Sequence, residues 1–161
     1  MTADLAGRRA GAAPSWATPA FGPDSPDPAS PPLATCALQG ETASASVARD
    51  FTAHTLGGWG LPGLIDDAQL VVSELVTNAL RHGLSTGLEA PIQLRLLSQG
   101  VHVLCAVRDP SERAPQRGPQ NDEFAETGRG LYLVEAVSLT WGWILIRGSG
   151  KIVWAVLDHP A

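Results

Sequence analysis

SELVTNALRHG, residues 73–83, sets a glutamate, Glu74, and an asparagine, Asn78, in a run otherwise rich in Leu, Val and Ala. Residues four apart lie one above the other on the same face of an α-helix. Working outward from this stretch, Val71, Leu75 and Ala79 form one apolar row, and Val72, Val76 and Leu80 form a second. Glu74, Asn78 and His82 make a third row, so the helix has a broad buried side and one polar ridge. Asp66 and Asp67 start it, where the macrodipole favours negative charge, and Gly83 stops it. A carboxylate facing an interior is costly unless compensated, so Glu74 either meets solvent or borders a polar pocket. Charged residues mostly lie on solvated faces, so the choice depends on the rest of the chain.

On the N-terminal side, Leu33 to Leu38 reads as a strand. Thr42 or Ser44 is placed to cap a helix carrying Val47, Ala48, Phe51 and Leu56, which Gly57, Gly58 and Gly60 end. On the C-terminal side, residues 91–97 and 101–108 read as a hairpin turning at Ser98-Gln99-Gly100. Residues 110–127 are almost wholly polar and predict a long, mobile loop of the kind that serves as a lid or binding element. Leu131, Val134 and Val137 mark a third helix, and residues 140–146 and 151–157 a final hairpin around Arg147-Gly148-Ser149-Gly150. Hairpins separated by helices predict an α+β fold: a two-layer sandwich of a mixed, mostly antiparallel sheet covered on one face by about three helices.

The 161 residues suit one domain with a substantial core, expected over 33–158 with a short tail at 159–161. Seven of the 13 prolines (Pro14, Pro19, Pro23, Pro26, Pro28, Pro31 and Pro32) crowd into residues 1–32, which are expected to be disordered. A start codon assigned upstream of the true one gives the same composition. The net charge of -5 argues against a phosphate-tracking surface, so no direct nucleic-acid partner is expected. Cys36 and Cys105 are isolated and imply neither a disulfide framework nor a zinc site. Without a long apolar span or a secretory h-region, the expectation is a soluble, cytoplasmic protein with no membrane partner.

Two further motifs bear on the ridge. Asp109 ends a strand in which Val101, Val103, Cys105 and Val107 alternate, and Pro110 and the polar loop follow it at once. A carboxylate there can accept a hydrogen bond from an exocyclic amine, although an Asp before Pro also serves simply to start a turn. Glu126-Thr127-Gly128-Arg129-Gly130-Leu131 closes the loop and opens the third helix, where free backbone N–H groups and the positive helix end make an anion site. His82, near the carbonyl end of its helix, reads equally as a phosphate contact or as a dipole partner. Trp59, Trp141, Trp143 and Trp154 read as packing, since no basic residues interleave with them.

In this order and spacing, SELVTNALRHG, then VRDPS, then GRGLYLVEAVSLTWGW and GKIVWAVL resemble the nucleotide-binding boxes of the GHKL ATPase superfamily. Within it they are similar to the anti-sigma-factor serine/threonine kinases and the short ATP-binding regulators of actinomycetes. The resemblance covers about Leu33 to Asp158 and implies the GHKL ATP-binding fold. It implies Glu74 as the general base and Asn78 as the holder of the Mg²⁺ that bridges the ATP phosphates. It also implies Asp109 as acceptor from the adenine amino group and the Gly128-Arg129-Gly130 backbone as the phosphate cradle, with His82, Ser111 and Leu131 also binding ATP. Ser111 stands where the family commonly has glycine, and Ile152 where a hydroxyl residue often precedes the valine of the last strand.

The implied function is an ATP-dependent protein serine/threonine kinase that binds a sigma factor and phosphorylates an anti-sigma-factor antagonist. Members of the family also dimerise, which a sheet edge or helix here would allow. The alternative, prompted by Ser111 and Ile152, is a non-catalytic, nucleotide-gated module that sequesters a regulatory partner. A histidine-kinase catalytic fragment is a third reading, disfavoured because the chain has no room for a dimerising bundle with its phosphoacceptor.

Overall fold

The computed structural model describes residues 12–22, 31–83, 92–115 and 129–158, excluding the side chains of His82 and Arg129. Strand β1 (Leu33–Leu38) leads to helices α1 (Ser44–Gly58) and α2 (Ile65–Gly83). Strands β2 (Ile92–Gln99) and β3 (His102–Asp109), helix α3 (Arg129–Val137) and strands β4 (Thr140–Ile146) and β5 (Gly150–Asp158) follow. The strands form one sheet in the order β1-β2-β3-β5-β4.

The α+β two-layer arrangement is as the pattern predicts, with one difference in the sheet. The sheet expected to be mixed and mostly antiparallel is antiparallel in all four described pairings. β3 and β4, joined through α3, run the same way, but β5 folds back between them and pairs antiparallel with each. The parallel neighbours that a helical crossover usually produces are thereby kept apart.

Local chemistry explains the helix ends. α1 begins after Ala43 with no side-chain cap, so neither Thr42 nor Ser44 fills that role. Ser44 already lies in the first turn, and its hydroxyl donates back to the Gln39 carbonyl. At the other end the N–H of Leu61 reaches Leu56 O at 2.9 Å and that of Gly60 reaches Gly57 O at 3.1 Å. Gly60 has φ +72°, so this is the paired-bond stop that a left-handed glycine permits. Thr52, fully buried, satisfies its hydroxyl on Ala48 O at 2.7 Å.

On the helix side of the sheet, Val71, Val72, Leu75, Val76 and Ala79 of α2 pack with Val103, Cys105 and Val107 of β3 and with Val153 and Ala155 of β5. Trp141 and Trp143 belong to this core, and Trp154 to the opposite face, so these indoles pack as expected. Cys105 is buried within the helix-side core, which pushes its thiol up to about 12.

Within the proline-rich head, expected to be disordered over residues 1–32, the described stretch 12–22 is ordered. Ser15–Ala20 forms a 3-10 helix whose Ala17 and Ala20 are buried against Leu97, Leu104, Ala106, Ile152, Trp154 and Val156 on the other face of the sheet. Arg95, 7% exposed, donates from Nη1 to Ala20 O at 3.3 Å and to Gly22 O. The reason lies in the strands: β5 is buried at every position from Gly150 to Leu157, so both of its faces need cover. Residues 1–11, 23–30 and 159–161 lie outside the described residues, as do 116–128, which include most of the predicted lid. Among the described residues no helix is long and apolar enough to cross a membrane.

Candidate functional site

The ridge of α2 lies along the helix layer, with Glu74 and Asn78 both half-buried, one turn apart. The first turn of α3 meets it. A Cβ on Gly130 would collide with Glu74 Oε2 and would stand 3.2 Å from its Cδ and 3.4 Å from its Cβ. Glycine is thus what lets α3 approach the carboxylate. Leu131 next to it is buried in the core, which leaves its backbone N–H as its means of touching a ligand. The first N–H groups of α3 have no intrahelical acceptor, and they begin beside Glu74. Burial pushes the Glu74 carboxyl above the usual carboxylate range, while the charge of Arg81 pulls it back down.

A second cluster forms at the end of β3. Asp109 is 2% exposed, and its two oxygens lie 3.0 Å from Nζ of Lys151, which is 1% exposed. The backbone N–H of Ser111 donates to Asp109 Oδ1 at 2.8 Å, and Ser111 Oγ accepts from Arg113 N at 3.1 Å. Two successive side-chain-to-backbone turns therefore build the corner. Ser111, fully buried, acts here as a turn builder, which accounts for serine where the family pattern has glycine. The chain that follows is tied to the β4–β5 turn, because Gly148 N–H donates to Glu112 Oε1. Gly150, at φ +111°, runs so close to β3 that a Cβ would strike the Asp109 carbonyl and lie 2.8 Å from Pro110 Cα.

The structure therefore brings Glu74 together with Gly130, and Asp109 together with Ser111. Gly128 and the side chains of His82 and Arg129 lie outside the described residues. Ile152 proves to be on the opposite face of the sheet, packed with Trp154 and Val156, so it does not border the Asp109 corner. Strand alternation turns Lys151 toward that corner instead, directly across from Asp109 in register. The motifs do not point to Lys151; the available signal was a lone lysine opening an apolar strand, while its pairing with Asp109 depends on the register of two strands that are not consecutive.

Among the described residues no group of three or more His, Cys, Asp or Glu gathers as a metal cage. Asn78 offers one hard amide oxygen, a donor set that suits a cation supplied with other ligands by phosphate and water.

A family model described as a histidine kinase-like ATPase domain matches residues 38–157. Among solved structures, the RsbU and RsbW domains of Rv1364c from Mycobacterium tuberculosis align with a TM-score of 0.57 at 23% identity. The alignment covers 81% of this chain and 32% of that one, so this chain spans about a third of that protein's length and the likeness speaks for the fold alone. No curated protein matches the chain. The family match runs from the last residue of β1 through β5 and contains the α2 ridge, the Asp109 corner and the start of α3: the chain belongs to the histidine kinase-like ATPase domain family.

Proposed function

We propose that the protein is an ATP-binding regulator that transfers the γ-phosphoryl group to a serine or threonine hydroxyl of an anti-sigma-factor antagonist. The observation that carries this reading is the approach of Gly130 to the Glu74 carboxylate, which sets a base beside the N-terminal N–H groups of α3. Phosphoryl transfer depends mostly on positioning and charge neutralisation. In this reading the α3 N-terminus holds phosphate oxygens, and Asp109 accepts from the adenine amino group. Asn78 would hold Mg²⁺, which when bound with ATP neutralises phosphate charge. Glu74 takes the proton of the incoming hydroxyl as its oxygen bonds to the γ-phosphorus and the bond to the leaving ADP oxygen breaks. Burial raises its pKa above the ordinary carboxylate value, which makes it a stronger base than an exposed carboxylate.

The test is γ-labelled ATP incubated with the protein and the source-cell lysate. Glu74→Ala should cut labelling of the antagonist by roughly 100-fold or more, as expected for losing a general base. Labelling that is unchanged in this variant excludes Glu74 catalysis. A second reading, a non-catalytic nucleotide-gated module that sequesters a regulatory partner, draws on the closed Asp109 corner, where the base-recognising carboxylate is already ion-paired. A phosphoserine on the partner that depends on this protein decides against it.

A further inference from the structure

Lys151, the charged partner of Asp109, has no role in the proposed mechanism. Its Nζ has three oxygens around it: Asp109 Oδ1 and Oδ2 at 3.0 Å and Ser111 O at 3.4 Å. An ammonium has three N–H donors, so these partners occupy it fully. Burying two unit charges costs several kcal/mol, and apolar residues of similar volume often hold such a position as well or better. The pair is therefore poorly explained as a device for stability. What it fixes is the chemical state of Asp109. A neighbouring ammonium favours the ionised form of a buried carboxyl, which only accepts hydrogen bonds; at 2% exposure, removing that charge favours the protonated form, which donates as well.

We propose that Lys151 is a specificity-determining residue that keeps Asp109 a pure acceptor, so that the corner selects a purine bearing a 6-amino group over one bearing a 6-oxo group. Lys151 acts through Asp109 and is a positioning residue, because its donors point at Asp109 and Ser111. Ser111 completes the device: its N–H holds Oδ1 at 2.8 Å and so sets the orientation of the carboxylate. The inference rests on the ATP-binding reading above and adds to it the origin of base choice.

The test measures binding of ATP and of inosine triphosphate to the full chain by calorimetry, for wild type, Lys151→Met and the double variant Asp109→Asn with Lys151→Met. Circular dichroism melts accompany each titration. Wild type should prefer ATP by at least about tenfold, the cost of facing an acceptor with an acceptor. In Lys151→Met the preference should collapse to about twofold or less, because a protonated Asp109 can donate to the 6-oxo group. The double variant removes both charges of the buried pair and keeps the experiment open if Lys151→Met fails to fold. Its amide can turn either its oxygen or its NH₂ to the base, so it too should lose the preference. A lysine that only supports the fold would weaken both nucleotides equally, and a wild-type ratio retained in a folded variant overturns the inference. Wild type that binds both nucleotides equally overturns it while leaving nucleotide binding intact. Wild type that binds neither overturns the ATP-binding reading as well.

Discussion

Glu74 is held between two opposed influences: burial raises its pKa, and the nearby Arg81 charge lowers it by a smaller amount. The sign of the stability effect follows. A folded-state pKa above the unfolded value means that the native state binds more protons, so the contribution of Glu74 is fully present below the unfolded pKa and lost as pH rises through the folded one. Glu74→Gln cannot ionise and escapes that loss. Thermal melts between about pH 4 and about pH 8 should show this variant with the higher midpoint at the alkaline end, converging with wild type at the acid end. A wild type that is the more stable at the alkaline end would show that the carboxylate makes a compensating contact there. Glu74 was legible in the sequence because helical spacing alone puts it on a ridge with Asn78. Its burial was not, because that depends on what α3 brings against it.

At the scale of elements, the contact between α2 and α3 turns on one missing side chain. Gly130→Ala puts a methyl group into the Glu74 carboxylate, and that side chain can swing away with little disturbance of the apolar rows beneath. Under the kinase reading proposed above, the expected outcome is a thermal midpoint close to wild type and phosphoryl transfer slowed by about 10- to 100-fold, since a base displaced by about 1 Å loses much of its advantage. Single-turnover kinetics beside a melt would separate the two effects. A large fall in midpoint would instead mean that the helices themselves were forced apart. The strands teach a related lesson. Ile152 departs from the family pattern, which often has a hydroxyl residue there, and strand alternation sends Ile152 to one face and Lys151 to the other.

At the scale of the molecule, the sheet is apolar on both faces, and the second is covered by a segment whose composition reads as disordered. Prolines and small residues need no core of their own when a finished apolar surface receives them. Removing residues 1–22 would uncover Leu104, Ile152, Trp154 and Val156 and take away the carbonyl partners of Arg95 on Ala20 and Gly22. The truncated chain should lose on the order of 2 kcal/mol of stability in urea titrations and bind more of the dye ANS. Unchanged stability and dye binding would mean that this segment contributes nothing to the cover.

The α2 ridge, the hairpins, the helix order and the strand-ending Asp109 are all legible from the residues alone, because each rests on a period or a turn signal a few residues long. Folding adds that Gly130 backs Glu74, that Lys151 pairs with Asp109 from 42 positions away, and that the N-terminal 3-10 helix covers the outer face of the sheet. Such pairings are set by sheet register and layer packing, which bring together residues whose spacing along the chain carries no repeat.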